Sequence, residues 1–298
     1  MRIHHLSCAT LCPAAGRVPG LMPPRLVAHC LLVEDDDGLT LVDTGFGTGD
    51  VADPRRLGRP FLAAVGARFD PAETALAQVQ ALGFAASDVR RIVVTHLDLD
   101  PAGGLGDFPQ ASVHVHADEL AAARRPTVRE RPRYVTAQWD HGPSWVEHRP
   151  AAGESWFGFE SVSAIDEGLV LVPLSGHTRG HSGVGVRRPD GGWLLHAGDA
   201  YFFHGEKQQP PACPPGLRAF QRLVEVDHRA RVENQERLRT LHADHGDEVT
   251  VFCAHDETEL AALRAAAASA VGATTSFTAT TCATVWFSSV RNLTLSEC

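Results

Sequence analysis

The most constraining feature of this sequence is a set of four short apolar runs that each lead into a histidine or an aspartate. The runs span residues 92–94, 171–174, 193–195 and 249–252, and the polar residues after them are His96, His177, Asp199 and His255. Apolar runs of this length are typical of buried strands. Because strand ends in a layered sheet gather at one edge, we expect these side chains to converge there.

Two further carboxylates, Asp98 and Asp100, follow His96 closely. A structural role is the default for any single histidine in a chain that has 16 of them. As a set, however, imidazoles and carboxylates are ligands that suit zinc, with manganese or iron as second choices. More than four candidate ligands favour two metal ions that share a carboxylate, an arrangement that activates water for hydrolysis.

Strands and helices alternate along most of the chain, which predicts an α/β architecture of packed layers. We expect a hairpin from strands at 26–34 and 39–42, a helix from residue 70 to 82, and helical structure over 217–242 and 257–270. We assign residues 1–264 to one domain, in which the weakly patterned stretch 126–163 is an insertion or lid region. Residues 265–298 are rich in Ala, Thr and Ser and are predicted to be an atypical C-terminal tail.

The amino-acid composition limits the kinds of molecule that the protein is expected to bind. The formal net charge is −9 and no basic face is visible, which excludes nucleic acid as an expected ligand. The first ten residues do not resemble a signal peptide, and the apolar runs are too short to span a bilayer. The seven cysteines are scattered, so we expect reduced thiols in a cytoplasmic protein. The expected partner is therefore a small molecule, and a homodimer is left open.

Five blocks of the sequence resemble motifs of the metallo-β-lactamase-fold hydrolases, and they occur in the order found in that family. They are the segment Thr95-His96-Leu97-Asp98-Leu99-Asp100-Pro101, which resembles the H-x-H-x-D-H signature, then Gly176-His177-Thr178-Arg179-Gly180-His181, Gly198-Asp199, Ala254-His255-Asp256, and the supporting turn Asp43-Thr44-Gly45. The resemblance covers roughly residues 1–263. The opening segment 4–13 looks like an uncharacterised bacterial branch near the lactonases.

This resemblance implies a four-layer αβ/βα sandwich with a dinuclear zinc site at one edge. By position, the first metal would be held by His96, Asp98 and His177, the second by Asp100 and His255, and Asp199 would bridge them. Metal-bound hydroxide would then attack the carbonyl of a small lactone or ester, with a β-lactam or a glutathione thioester as alternatives. Asp100 and Tyr201 are the predicted catalytic residues. Tyr201 would assist the oxyanion, as a similarly placed tyrosine does in acyl-homoserine lactonases.

Two positions depart from the family signature. Asp98 stands in place of a histidine, and a carboxylate can still bind zinc. Pro101 stands in place of a histidine of the second metal site, and proline offers no ligand atom. The second site would then be weak, empty or completed by water, and activity would be weakened. The alternative function is a degenerate, non-catalytic domain that binds one metal or a ligand.

Two residues beside the expected site are assigned supporting roles. Asp43 is predicted to stabilise its turn rather than to bind metal, and His181 to pack or hydrogen-bond behind the site. Competing active-site motifs do not fit. The segment 45–49 lacks the third glycine of a dinucleotide-binding loop, and 180–183 is not a serine-hydrolase elbow.

Overall fold

Two β-sheets lie at the centre of the structure, a computed structural model that describes residues 1–149, 155–160 and 162–279. The first sheet has seven strands in the order β4-β1-β2-β3-β5-β6-β7. These are β1 (Arg2–Leu11), β2 (Leu26–Asp35), β3 (Gly38–Val42), β4 (Ala67–Arg68), β5 (Val89–Val93), β6 (Ser112–His116) and β7 (Ser144–His148). A separate two-stranded sheet pairs β8 (Ser155–Trp156) with β9 (Phe159–Glu160). The second main sheet has the order β10-β11-β12-β13-β14, with β10 (Ser163–Ala164), β11 (Leu169–Pro173), β12 (Ser182–Arg187), β13 (Trp193–His196) and β14 (Val249–Phe252).

Eight α-helices connect and cover these sheets in the described part of the chain. They are α1 (Thr48–Ala52), α2 (Arg59–Val65), α3 (Ala75–Ala81), α4 (Leu99–Ala102), α5 (Ala117–Arg124), α6 (Pro215–Val224), α7 (His228–Asp244) and α8 (Glu257–Ala279). The side chain of Asp227 accepts a hydrogen bond from the backbone N–H of Ala230 and so caps α7. This cap divides the helical stretch expected over 217–242 into two helices.

Three of the four apolar clusters among the described residues join the layers. Leu31 and Val93 of the first sheet meet Leu171 and Leu194 of the second, and this cluster fills the space between the sheets. On the outer face of the first sheet, the core includes side chains of α3 and α5, and on the outer face of the second it includes those of α7. The order helix, sheet, sheet, helix confirms the predicted αβ/βα sandwich.

Strand direction brings the predicted site residues to one edge. Strands β3, β5 and β6 are parallel to one another, as are β13 and β14. Strand β11 is antiparallel to β12, which is antiparallel to β13, so β11 runs in the direction of β13. The segments after β5, β11, β13 and β14 carry the histidines and aspartates predicted to bind metal. These segments of the two sheets lie next to each other at one edge.

The two segments assigned least regular structure differ from the expectation. In the stretch 126–163, β7 joins the first sheet beside β6, and β8 and β9 form a hairpin. Helix α8 extends to Ala279, so the first part of the predicted tail is helical, as its alanine content favours. Residues 280–298 lie outside the described part of the chain. No helix among the described residues has the length and apolar character needed to cross a membrane.

Candidate metal centre and its cavity

The structure brings together all six residues predicted to bind metal. The loop after β5 carries His96 and Asp98, and Asp100 lies in the short helix α4 that follows. The loops of the second sheet carry His177, Asp199 and His255. All six side chains are largely buried, with exposed fractions of 11% or less. His96, His177 and Asp199 each offer one ligand atom, and these three atoms lie within 4.8 Å of one another.

A first set of donor atoms surrounds the imidazoles of His96 and His177. Asp199 Oδ2 lies 3.7 Å from His96 Nε2 and 3.4 Å from His177 Nε2. Asp98 Oδ2 lies 3.7 Å and 2.9 Å from the same two nitrogens. Ligands of a tetrahedral zinc ion stand about 3.3 Å apart, because each bond is about 2.0–2.1 Å long. The donor atoms of His96, His177 and Asp199 are therefore close enough to share one metal ion, and Asp98 Oδ2 lies beside the two imidazoles.

A second set is smaller. His255 Nε2 lies 3.1 Å from Asp199 Oδ1 and 3.7 Å from Asp100 Oδ2. Pro101 adds no ligand atom here. Asp199 thus lies within 3.4 Å of a histidine from each set, which is the placement that a bridging carboxylate needs.

A hydrogen-bond chain fixes the ring of His96. Asp43 has a positive φ of 57°, and its carboxylate accepts hydrogen bonds from the backbone N–H and the hydroxyl of Thr95, at 2.7 and 2.8 Å. Because the Thr95 hydroxyl donates its hydrogen to Asp43, its oxygen is free to accept a hydrogen bond from His96 Nδ1, 2.9 Å away. The Nε2 lone pair of His96 then faces the donor set, and Asp43 acts behind the site.

Backbone carbonyls orient two more imidazoles. His255 Nδ1 donates to the carbonyl of Val27 at 2.7 Å, which leaves Nε2 facing Asp199. His181 Nδ1 donates to the carbonyl of Leu174, and its Nε2 accepts from the backbone N–H of Asp199 at 2.8 Å. Both nitrogens of His181 are therefore engaged, so this residue holds Asp199 in place from behind.

The electrostatics of the cluster suit a cation. Burial raises the pKa of Asp100 to about 6. Burial alone would lower the pKa of His255, but the carboxylates of Asp199 and Asp100 raise it to about 10. Among the described residues, the buried His96 Nε2 has no hydrogen-bond partner, and Asp199 Oδ1 has none apart from its ion-pair contact with His255 Nε2. Excess negative charge and unpartnered donor atoms together fit a divalent metal ion.

The donor atoms open onto a cavity of about 370 Å³. Asp98, Asp100, His177, Asp199 and His255 lie on its wall. Most of the remaining wall is apolar, and the side chains that form it include Leu11, Met22, Leu26, Phe61, Ala64, Val65, Leu99, Phe202, Phe220, Leu223, Val224 and Val226. A small, mostly apolar molecule with one polar group fits such a wall.

The structure contradicts one predicted role. Tyr201 does not line the cavity, because its side chain is 1% exposed and packs in the core beyond the second sheet. Its hydroxyl donates to the carboxylate of Glu259 at 3.1 Å. The neighbouring Phe202 is the residue on the cavity wall, and its ring stacks on His255 with centroids 4.8 Å apart. Tyr201 is therefore a packing residue and not an oxyanion donor.

Three residues near the site carried no signal in the sequence. Glu119 of α5 accepts from the backbone N–H groups of Leu97 and Gly180, at 3.0 and 3.1 Å, and so joins two loops of the centre. Glu259 of α8 accepts from the N–H of Cys253 at 2.8 Å. Arg133, in a stretch with weak patterning, forms an ion pair with Asp98 at 2.8 Å. Each contact joins segments far apart in sequence, so local pattern does not reveal it.

Comparison with known proteins identifies the relatives of this chain. The model of the metallo-beta-lactamase superfamily matches residues 23–255. A probable metallo-hydrolase of Mycobacterium tuberculosis is 44% identical over 262 residues, covering 86% of this chain and 80% of that protein. The N-acyl homoserine lactonase AttM of Agrobacterium fabrum is 28% identical over 76% of this chain and 80% of its own length. A solved structure of an N-acyl homoserine lactone hydrolase with N-hexanoyl-L-homoserine at its catalytic metal centre matches the fold, with a TM-score of 0.66 and 18% identity over 87% of this chain and 94% of that one.

Proposed function

The chain belongs to the metallo-beta-lactamase superfamily and is a metal-dependent hydrolase, and from that premise we propose that it is a zinc enzyme that cleaves a small lactone or ester. The observation that carries the proposal is the placement of the two donor sets on the wall of a mostly apolar cavity. A hydrophobic substrate bound in this cavity would have its carbonyl group beside the metal site. The lactonase relatives favour this substrate class over β-lactams and thioesters.

His96, Asp98, His177 and Asp199 would hold the first metal, and Asp100 and His255, with Asp199 shared, would hold a second. Bound divalent metal supplies Lewis acidity toward the carbonyl and lowers the pKa of water.

The chain's own groups supply substrate placement and proton transfer. The apolar wall excludes bulk water and holds the carbon skeleton of the substrate. During hydrolysis a water oxygen bonds to the carbonyl carbon, and the bond from that carbon to the ester oxygen breaks. Asp100, which lines the cavity and has a raised pKa, would carry the proton from the water to the departing alkoxide.

Metal analysis and turnover on the same preparation test this proposal. Protein purified without chelator should contain at least one zinc ion per chain, and it should hydrolyse members of a lactone and ester panel faster than thioesters or β-lactams. Asp199→Asn should abolish turnover and reduce zinc content, because it weakens a ligand common to both sets.

The degenerate-domain alternative predicts a different outcome. It would be supported by less than one zinc ion per chain together with no turnover after zinc or manganese is added. Full zinc content with turnover of thioesters alone would retain the hydrolase and overturn the lactone or ester assignment.

A further inference from the structure

Arg133 reaches the metal centre from the segment 127–133, donates a hydrogen bond to one oxygen of Asp98 and lies in ion-pair contact with the other. Its Nε lies 2.8 Å from Asp98 Oδ1, and its Nη2 donates to Asp98 Oδ2 at 2.9 Å. Only 12% of the Arg133 side chain is exposed. A buried, charge-assisted hydrogen bond with a second close charged contact restricts the orientation of a carboxylate.

The carboxylate of Asp98 also faces the imidazoles of His96 and His177. Asp98 Oδ2 lies 2.9 Å from His177 Nε2 and 3.7 Å from His96 Nε2. Arg133 Nη2 and His177 Nε2 lie 3.2 Å apart and both contact Asp98 Oδ2, so Arg133 holds the oxygen that faces the imidazoles. Asp98 is the position at which the signature of the family has histidine.

Charge explains why an aspartate at this position needs a partner. A histidine ligand is neutral, whereas Asp98 adds a negative charge to a centre that already contains Asp100 and Asp199. Arginine stays protonated at any ordinary pH, so the Asp98–Arg133 pair has no net charge. Arginine and aspartate together thus restore the charge that a histidine would have given the donor set.

We propose that Arg133 is a positioning residue that holds Asp98 as a ligand of the first metal, and that the two residues act as a unit in place of the missing histidine. This inference rests on the proposed function, because it requires that metal binds at this centre. It assigns Arg133 no direct contact with substrate.

A purely structural role for Arg133 is the competing explanation. Arg133 also donates to the backbone carbonyls of His177 and Val224, both at 3.0 Å, and so could simply anchor its segment. The same segment has a second anchor, because Arg179 donates to both carboxylate oxygens of Glu130 at 2.7 and 2.6 Å. Arg179→Gln is therefore a matched control, since it removes a bidentate pair from this segment without touching Asp98.

The test measures zinc affinity by competition with a chelator, and the absorption spectrum of the cobalt-substituted protein, for folded full-length variants. Arg133→Gln should weaken first-site zinc affinity by about 10–100-fold and alter the cobalt spectrum. Arg179→Gln should leave affinity within about threefold of wild type, the scatter expected where no ligand is disturbed. If Arg133→Gln does not fold, Arg133→Lys keeps the charge but cannot contact both carboxylate oxygens through a planar guanidinium, and it should still weaken zinc binding.

A reciprocal exchange makes the test specific to the pair. Asp98→His alone leaves the Arg133 guanidinium buried without its carboxylate, so it should bind zinc poorly. Adding Arg133→Gln to Asp98→His should restore affinity to within about tenfold of wild type, because a neutral histidine no longer needs the arginine. Unchanged affinity in both Arg133 variants, or a double variant that binds more weakly than Asp98→His, would overturn the inference.

The outcomes separate this inference from the proposed function. Wild-type protein that takes up no metal would defeat the proposed function, and the inference with it. Wild-type protein that binds zinc and hydrolyses esters, with Arg133 variants that bind equally well, would defeat the inference alone.

Discussion

The hydroxyl of Tyr201 donates a hydrogen bond to the carboxylate of Glu259 at 3.1 Å, within the core and away from the cavity. Glu259 also accepts from the backbone N–H of Cys253 and pairs with Lys207, the only lysine of the chain. Tyr201 follows Asp199 by two residues, and Cys253 precedes His255 by two. This carboxylate therefore ties together the two loops that carry these ligand candidates.

Replacing Tyr201 by Phe should change stability and leave catalysis intact. The substitution removes one hydrogen bond to a buried carboxylate, so we expect a loss of about 1–3 kcal/mol in the free energy of unfolding. Because the hydroxyl does not reach the cavity, kcat/KM for an ester should stay within about twofold. Urea unfolding and ester hydrolysis measure the two effects. A large fall in kcat at unchanged stability would reinstate the oxyanion role, and Phe202→Ala is the cavity-wall control expected to lower kcat/KM.

Replacing Pro101 by His should strengthen the second donor set. The contacts of residue 101 to Thr44 are made through its carbonyl, which accepts from the Thr44 N–H at 2.9 Å and the hydroxyl at 2.7 Å. The substitution retains that carbonyl and places an imidazole next to Asp100. We expect the affinity for a second zinc ion to rise by at least about tenfold, measured by calorimetric titration. A titration identical to that of wild type would mean that this set does not bind metal.

A larger side chain on the cavity wall should impair the hydrolysis of long substrates more than that of short ones. Ala64 of α2 lies on the apolar wall and is not one of the donor residues. Ala64→Trp should therefore raise KM for esters with long acyl chains by about tenfold or more, while short esters and zinc content remain close to wild type. The comparison uses one ester series of increasing chain length. Equal losses across the series would indicate a general defect in place of a blocked cavity.

Acid should destabilise the protein through buried histidines. His196 donates from Nε2 to the carbonyl of His29 and accepts at Nδ1 from the N–H of Gly198, so it is neutral. Burial lowers its pKa from 6.5 to about 4. The unfolded chain then binds the proton more readily, so stability is full above pH 6.5 and falls as the pH drops from 6.5 to about 4.

This histidine should contribute up to about 1.4 kcal/mol per pH unit to that slope. His196→Gln should make the slope correspondingly shallower, measured by urea unfolding with chelator present throughout. The surface variant His245→Gln controls for the loss of one histidine. An unchanged slope in His196→Gln would contradict the assignment.

Much of the fold could be predicted from local pattern. The hairpin of β2 and β3 follows from two apolar runs around Asp36-Asp37-Gly38, and helix α8 begins at Glu257 as predicted. Strand β1 was not predicted, because Arg2–Leu11 mixes histidines, serine and cysteine with apolar residues and owes its pairing to β2 and β4.

The candidate site could be predicted only in part, because some of its contacts join residues far apart in the sequence. Its histidines and aspartates follow strands, and strand ends show in the sequence. Arg133 reaches Asp98 across 35 residues, and Glu119 joins loops that are distant in the chain. Contacts between residues far apart in sequence produce no periodic pattern that could predict them. Tyr201 was assigned to the cavity because it lies close to Asp199 in sequence, but neighbouring residues of a loop can face opposite sides.

The division of the six clustered residues between the two sheets has a mechanical consequence. Three come from the amino-terminal half and three from the carboxy-terminal half, so an ion bound among them cross-links the halves of the molecule. The force needed to pull the two halves apart from the chain ends should therefore be higher when an ion is bound than when the centre is empty.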